Sequence, residues 1–287
     1  MRPLPFVACC VLSVAAAALP SLALAQATPP PATPKPAAAP AAAPAATPDT
    51  GPATPTVEPE ARQALERMSA YLGTLSSFEI KTQTTVDIVT EIGQRVQIDG
   101  SAHYKVRRPN GFVIDVVTDM KTRSFFYDGK SFTVFSPKHD YYATVPAPDT
   151  ILKTLDVLWD QFGLALPLED LFRWNDTKSR RAEDLSSGFL VGPATIDGVL
   201  TNQYAFRQGE VDWSVWIEQG DRPLPRKLLI VDRSQAEQPA YVARLAWTLN
   251  PTFPADTFTF KAGPGAKPIR MSTLETDTGS TPTRSTP

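Results

Sequence analysis

Hydrophobic positions first recur along the chain at helical spacing. Ala64/Leu65, Met68, Tyr71/Leu72 and Leu75 return every three to four residues and lay one apolar stripe along a helix. Pro59 suits its first position and Gly73 its end. The period then drops to two. Phe78, Ile80, Val86 and Ile88 share one parity with Thr82 and Thr84, while Glu79, Lys81, Gln83 and Asp87 fill the other. That alternation predicts a strand with one buried face. After a turn at Gly93, Val96, Ile98, Ala102, Tyr104 and Val106 alternate with Gln97, Asp99, Ser101, His103 and Lys105. Further strands follow over 112–117, 123–127, 131–135 and 141–145, separated by Pro109-Asn110-Gly111, Asp128-Gly129 and the turn 137–140. These short connections make an antiparallel meander.

At Pro146-Ala147-Pro148 the texture changes. Asp149 or Thr150 can cap a helix containing Ile151, Leu152, Leu155, Leu158, Trp159 and Phe162, and 168–172 suggests a second, short one. Strands resume over 188–191, 203–207, 211–218, 226–232, 241–249 and 257–260. The layout is a helix, five or six strands, one or two helices, then five or six strands. About ten antiparallel strands in one domain must curl, pair off or close. A curved sheet with helices in its concavity fits an α+β, mainly antiparallel β class. It fits better than an all-β sandwich, because the apolar central helix needs a surface to cover.

Composition confines this fold to the middle of the chain. Eleven of the 29 Pro fall between Gln26 and Glu60, in a stretch of Ala, Pro and Thr that has no large side chains to bury. The segment 26–57 therefore reads as an extended spacer, and 271–287, rich in Ser, Thr and Pro, as a disordered tail. The folded domain is 58–270. Residues 1–25 read as a secretory signal: Arg2, an apolar stretch to Leu19, a break at Pro20-Ser21, and Ala23-Leu24-Ala25 as a small-x-small cleavage site. Cleavage is expected after Ala25, with Ala27 as second choice, which exports the chain to the periplasm. Cys9 and Cys10 lie inside the apolar stretch rather than after it, which disfavours a lipoprotein signal. No other run is long enough to span a membrane, so none is expected after signal removal.

Charge and motif content narrow the function. A net charge of -2 gives no case for nucleic-acid binding. Removing the signal removes both Cys, and two His 36 positions apart leave little for a metal site, so no metal or cofactor is expected. Gly129-Lys130-Ser131 continues into Phe132-Thr133 and is not a nucleophile elbow. Gly263-Pro264-Gly265 lacks the setting of a nucleotide loop. His103 lies on the polar parity of its strand, and His139 in a turn. Glu169-Asp170 and Glu183-Asp184 are sequence neighbours, which seldom converge as an acid-base pair. No catalytic residue is assigned.

Several short pieces carry a resemblance. Tyr127-Asp128-Gly129-Lys130-Ser131, Phe135-Ser136-Pro137, Tyr142 and Pro146-Ala147-Pro148 stand in the first half. Ile196-Asp197-Gly198, Val211-Asp212-Trp213, Trp216-Ile217, Leu224-Pro225-Arg226-Lys227-Leu228, Trp247 and Phe253-Pro254-Ala255-Asp256-Thr257-Phe258 stand in the second. In this order they resemble a family of exported bacterial proteins, domain of unknown function DUF2092. The Asp-Gly-Lys hairpin and the Leu-Pro-Arg-Lys strand entry are similar, more distantly, to those of the lipoprotein carriers LolA and LolB. The resemblance implies an incomplete β-barrel, a half-barrel whose apolar concave face is capped by helices and, in the carriers, holds acyl chains.

The expected function is a non-catalytic periplasmic protein that takes a lipid, or an acylated peptide or lipoprotein, in that cavity. The expected concave face is Phe78, Ile80, Val86, Val96, Ile98, Tyr104, Phe112 and Ile114, with Leu155, Leu158, Trp159 and Phe162 as a helical lid. Trp213 and Trp216 fall on opposite faces of one strand. Such residues fill a closed core or line an open pocket, and the pattern serves both. An envelope interaction or sensor module with a protein partner is the alternative, and a hydrolase the third reading.

Overall fold

The computed structural model describes residues 56–173 and 184–274. The expected signal, all of the spacer before Thr56, and Glu183 lie outside the described residues.

Helix α1 (Pro59–Thr74) starts with Pro at its first turn and buries Ala61, Ala64, Leu65, Met68 and Leu72, the stripe that the sequence lays out. It runs one residue past Gly73 and is capped at Leu75 in extended conformation. A six-strand meander follows: β1 (Ser77–Val89), β2 (Arg95–Arg107), β3 (Gly111–Thr118), β4 (Thr122–Tyr127), β5 (Ser131–Ser136) and β6 (Tyr141–Pro146). The linking helices are α2 (Ile151–Phe162) and the single turn α3 (Asp170–Arg173). A second meander is β7 (Ser187–Ile196), β8 (Val199–Gln208), β9 (Val211–Glu218), β10 (Pro225–Asp232) and β11 (Ala240–Leu249). The two meanders join where β1 pairs with β11. With the two-residue β12 (Lys267–Pro268) they form one open twelve-stranded sheet, ordered β12-β6-β5-β4-β3-β2-β1-β11-β10-β9-β8-β7.

This is a half-barrel, not a sandwich: neither edge closes on the other. Register decides which residues meet on each face. Phe78 lies between Val106 and Leu249, and Ile80 between Tyr104 and Trp247. Val106 continues to Phe112, Tyr127 and Phe132, and Tyr104 to Ile114, Phe125 and Val134. Because side chains alternate across a strand, this parity makes a single concave face. The polar parity, with Glu79, Lys81, His103 and Lys105, faces outward. Trp213 stacks on Phe206, ring centroids 4.4 Å apart, on the concave parity. Trp216 lies on the other parity, under the Lys227 ammonium.

The helices cover part of the concavity. Thr150 caps α2 by accepting from the Lys153 amide, and Gly163 ends it in the left-handed conformation, φ 60°, that glycine adopts without a Cβ clash. Ile151, Leu155 and Leu158 point into the core. Two tyrosines tie the flanks of α2 to the sheet: Tyr127 donates to the Pro148 carbonyl and Tyr104 to that of Pro167. Beyond α2, Phe172 lies 6.4 Å from the Phe78 ring and 6.3 Å from that of Phe112.

The last segment departs from expectation. Residues 257–260 form no strand. Thr257 and Thr259 donate to the carbonyls of Pro254 and Asp256 in consecutive turns. The spacing of Phe258 and Phe260 serves packing on the outer face instead. Phe258 is buried against Gly111 beneath the Arg107 guanidinium. Phe260 sits among Phe126, Phe135 and Tyr142, with centroids 5.0–5.3 Å away. The chain thus crosses beneath the first meander to reach its far edge, where β12 pairs in parallel with β6. Lys267-Pro268 carried no strand signal. Order also extends past the expected domain limits. Val57 bridges Gly188 on β7, and the Leu274 amide donates to the Gln161 carbonyl.

Both edges are guarded against further strand addition. β12 covers β6. On β7, a register shift between Leu190 and Gly192 and the adjacent Pro193 interrupt the ladder. Removing the Phe258 ring leaves a cavity beneath the crossing segment. Phe258→Ala is expected to lower unfolding stability by about 3 kcal/mol, measured by urea denaturation. A loss below about 1 kcal/mol would show that the segment is not an anchor.

Candidate functional site

The concave face divides into two parts, and the division follows where the helices stop. Counted by register, the first two rows contain Phe78, Val106, Phe112, Tyr127 and Phe132, then Ile80, Tyr104, Ile114 and Phe125. All are buried. Leu155, Leu158, Leu166, Leu168 and Phe172 cover them as one continuous core. The third row, Thr82, Ala102, Val116 and Arg123, marks the boundary. Beyond it lie Thr84, Gly100 and Thr118, then Val86 and Ile98, then Ile88 and Val96. None of these outer-row residues is buried, and Val96 is exposed. On the other side of β1 the same region continues into Tyr241 on β11 and Ile230 on β10, both half-buried.

The register brings all eight expected strand residues to one face of the sheet, the face that α2 and α3 cover. The twelve expected ligand-facing residues split, however. Phe78, Ile80, Tyr104, Phe112, Ile114, Leu155 and Leu158 form the packed interior, and this conformation offers no ligand access to them. Val86, Ile98, Trp159 and Phe162 are half-buried and Val96 exposed. These five retain surface for a ligand. Spacing alone does not separate the two groups, because the boundary is set by the lengths of α2 and α3. Val116, Tyr241 and Arg123 share the face and were not singled out from sequence, although parity extends to all three.

The floor between the groups is shallow-sided and polar. A Cβ on Gly100 would lie 2.9 Å from the Val117 carbonyl oxygen and 3.1 Å from Thr84 Oγ1, so a larger residue would force the strands apart. Thr82 Oγ1 is engaged with the Ala102 backbone on its neighbour strand. The floor therefore has small side chains whose hydroxyls are in part already bonded.

Charge at the lid is internal. Glu169 is buried and accepts from the Leu166 amide. Arg173 reaches Asp156 on α2 at 2.9 Å and Glu169 at 3.6 Å, linking the two helices. Glu169 is thus a structural anion of the α2–α3 link. His103 meets Glu79 at 2.9 Å on the outer face, and the His139 amide donates to Ser136 within its turn. Neither His is joined by a nucleophile among the described residues. The outer face also has a polar recess of about 550 Å³ bounded by Thr85, Asp99, Ser101, Asp119 and Arg244. Several of its groups are already engaged: Thr85 donates to Asp99 at 2.6 Å, and Arg244 pairs with Asp197, outside the recess, at 2.9 Å. Among the described residues there is no cluster of three metal-ligating side chains. No helix among them is long and apolar enough to cross a membrane.

The family model described as predicted periplasmic protein (DUF2092) matches residues 61–272. The chain belongs to this family. The match runs from α1 past β12, so the DUF2092 region is the whole half-barrel with its crossing segment. A search of curated proteins finds no significant match. Among solved structures, an uncharacterised conserved protein from Thermus thermophilus superposes with a TM-score of 0.44 at 11% identity, over 74% of this chain and 99% of that one. The lipoprotein LppX of Mycobacterium tuberculosis gives 0.44 at 15% identity, over 68% and 98%. A LolA superfamily protein from Nitrosomonas europaea gives 0.36 at 12%, over 70% and 97%. Likenesses this loose carry no argument about the site.

Two phenols, the buried Tyr104 and the half-buried Tyr241, give the site a measurable signature. Burial holds the Tyr104 hydroxyl well above its usual pKa, and nearby Tyr241 pushes it further the same way. Burial raises Tyr241 as well. A raised folded-state pKa contributes stability that is complete below about pH 10 and is lost as pH climbs through and beyond that value. Stability should therefore be level from about pH 8 to 9 and fall above about pH 10. Phenolate absorbance of the native protein should lag behind that of the denatured chain. All seven tyrosines titrating together in the folded state would contradict this.

Proposed function

We propose that this DUF2092 protein is a non-catalytic periplasmic protein that binds a lipid or acylated ligand against its concave face. One observation carries the reading: beyond the helical cover and one polar row of Thr84, Gly100 and Thr118, the face turns apolar again. Val86, Ile98, Ile88, Val96 and Val116 continue the parity of the core, but no described helix packs them to the burial of Phe78 or Ile114. A soluble domain gains nothing from leaving such a strip wet. Covering it with an acyl chain recovers about 25 cal/mol per Å² of apolar surface removed from water.

The ligand lies along the outer rows, with Trp159 and Phe162 at the margin of the cover. The buried lower rows support the site and do not contact the ligand unless α2 lifts. The family's description as predicted periplasmic and the N-terminal signal pattern both support export. Strand addition by a protein partner is less favoured, because β12 and the Pro193 interruption guard the two edges.

The test uses a neutral apolar fluorophore, N-phenyl-1-naphthylamine, so that charge plays no part. Leu155→Asp is uninformative, since a carboxylate placed in the packed core would unfold it. Ile98→Asp is informative because Ile98 is only half-buried. The wild-type protein is expected to bind the probe in the micromolar range, and Ile98→Asp to weaken binding at least about tenfold with little change in Tm. No binding by the wild-type chain, or equal binding by the variant, would overturn the proposal.

A further inference from the structure

The concave parity of β1–β11 carries one cation that no carboxylate reaches among the described residues. Apolar, aromatic and small hydroxyl side chains account for nearly all of its positions, and Asp232 stands only at the very end of β10, bonded into its own turn. Arg123 breaks the pattern. It lies opposite Val116, in the row where helical cover ends. Its Nη1 donates to the Ser136 hydroxyl at 2.7 Å and to the Thr122 carbonyl at 2.9 Å. Its other guanidinium nitrogens have no partner among the described residues.

Several other half-buried or buried arginines contrast with it, whereas Arg107 and Arg108 lie over the Phe258 and Phe78 rings. Arg226 pairs with Glu218, Arg173 with Asp156 and Glu169, and Arg233 with Asp212. The row that contains Arg123 continues across the sheet through Ser136, opposite Tyr141, and then to Lys267 on β12. Two cations and two hydroxyls thus line one margin of an apolar strip, and among the described residues no carboxylate is paired with either cation. A guanidinium offers several planar donors suited to the two oxygens of a carboxylate or phosphate.

We infer that Arg123, with Ser136, Tyr141 and Lys267, recognises the anionic group of an amphiphile whose chain lies on the outer concave rows. This deepens the proposed function and rests on it: the ligand class narrows from apolar to anionic amphiphile. Arg123 selects the head, and Val86, Ile98 and Val116 hold the chain.

The experiment compares dodecanoic acid, its uncharged methyl ester and dodecyl phosphate at about pH 7.4, each displacing N-phenyl-1-naphthylamine. The wild-type protein is expected to prefer the acid over the ester about tenfold, the ratio expected of one charge-assisted hydrogen bond. In Arg123→Gln the preference should vanish while ester affinity and Tm stay unchanged. Arg123→Lys should keep part of it. The ratio of acid to phosphate shows which head is preferred. Equal affinity for acid and ester in the wild-type chain, or a preference that survives Arg123→Gln, overturns the inference.

If the wild-type chain binds neither amphiphile, the binding reading itself fails. Inorganic phosphate then decides the anion site separately. A saturating shift of the Arg123 Nε–H resonance in a titration supports it, and an unmoved resonance overturns it.

Discussion

A half-barrel of this width presents more apolar surface than its helices cover, and the character of the molecule follows from where that cover stops. Phe78, Tyr104, Phe112 and Tyr127 lie beneath α2 and α3 and form a conventional core. Val86 and Ile98 share the same parity a few residues along the same strands but are only half-buried. Hydrophobic burial does not distinguish the two stretches when the sheet forms; the distinction arises from helix length. Twelve residues of α2 and one turn of α3 reach across two rows. The same pleated surface therefore provides both the stability of the fold and its exposed strip.

Other features support that arrangement from outside. The segment from Leu249 to Lys267 crosses the outer face with Phe258 and Phe260 as anchors, then covers the edge of β6. Tyr104 and Tyr127 fix the flanks of α2 through backbone carbonyls. The Asp156–Arg173–Glu169 set joins α2 to α3. Arg173 and Glu169 are buried, so removing either leaves the other's charge uncompensated, which favours one position of the cover over others.

Much of this was legible in the sequence because period two and period 3.6 are hard to confuse over long stretches. The parity of β1 and β2, Pro59 at the start of α1, Thr150 as a cap and the Asp-Gly turns all follow from residue type and spacing. Other features were not legible. Phe258 and Phe260 mimic strand alternation, yet consecutive turns make them anchors, and only the partner surface reveals this. Lys267-Pro268 has no strand propensity and pairs because the crossing segment delivers it to β6. The split of the concave residues into core and strip depends on the reach of α2 and α3, which lies in three dimensions. Arg123 was visible as a charge at an otherwise apolar parity, but finding no acid beside it among the described residues required the register of four strands.

Whether the outer concave rows hold an apolar chain is tested most directly by native mass spectrometry of the protein prepared from the periplasm without detergent. The intact mass also reads whether the chain begins at Gln26. Adducts of amphiphile mass are expected, removed by delipidation and restored by added lipid at a stoichiometry of about one. A bare protein mass, unchanged by added lipid, would contradict a lipid-binding concave face.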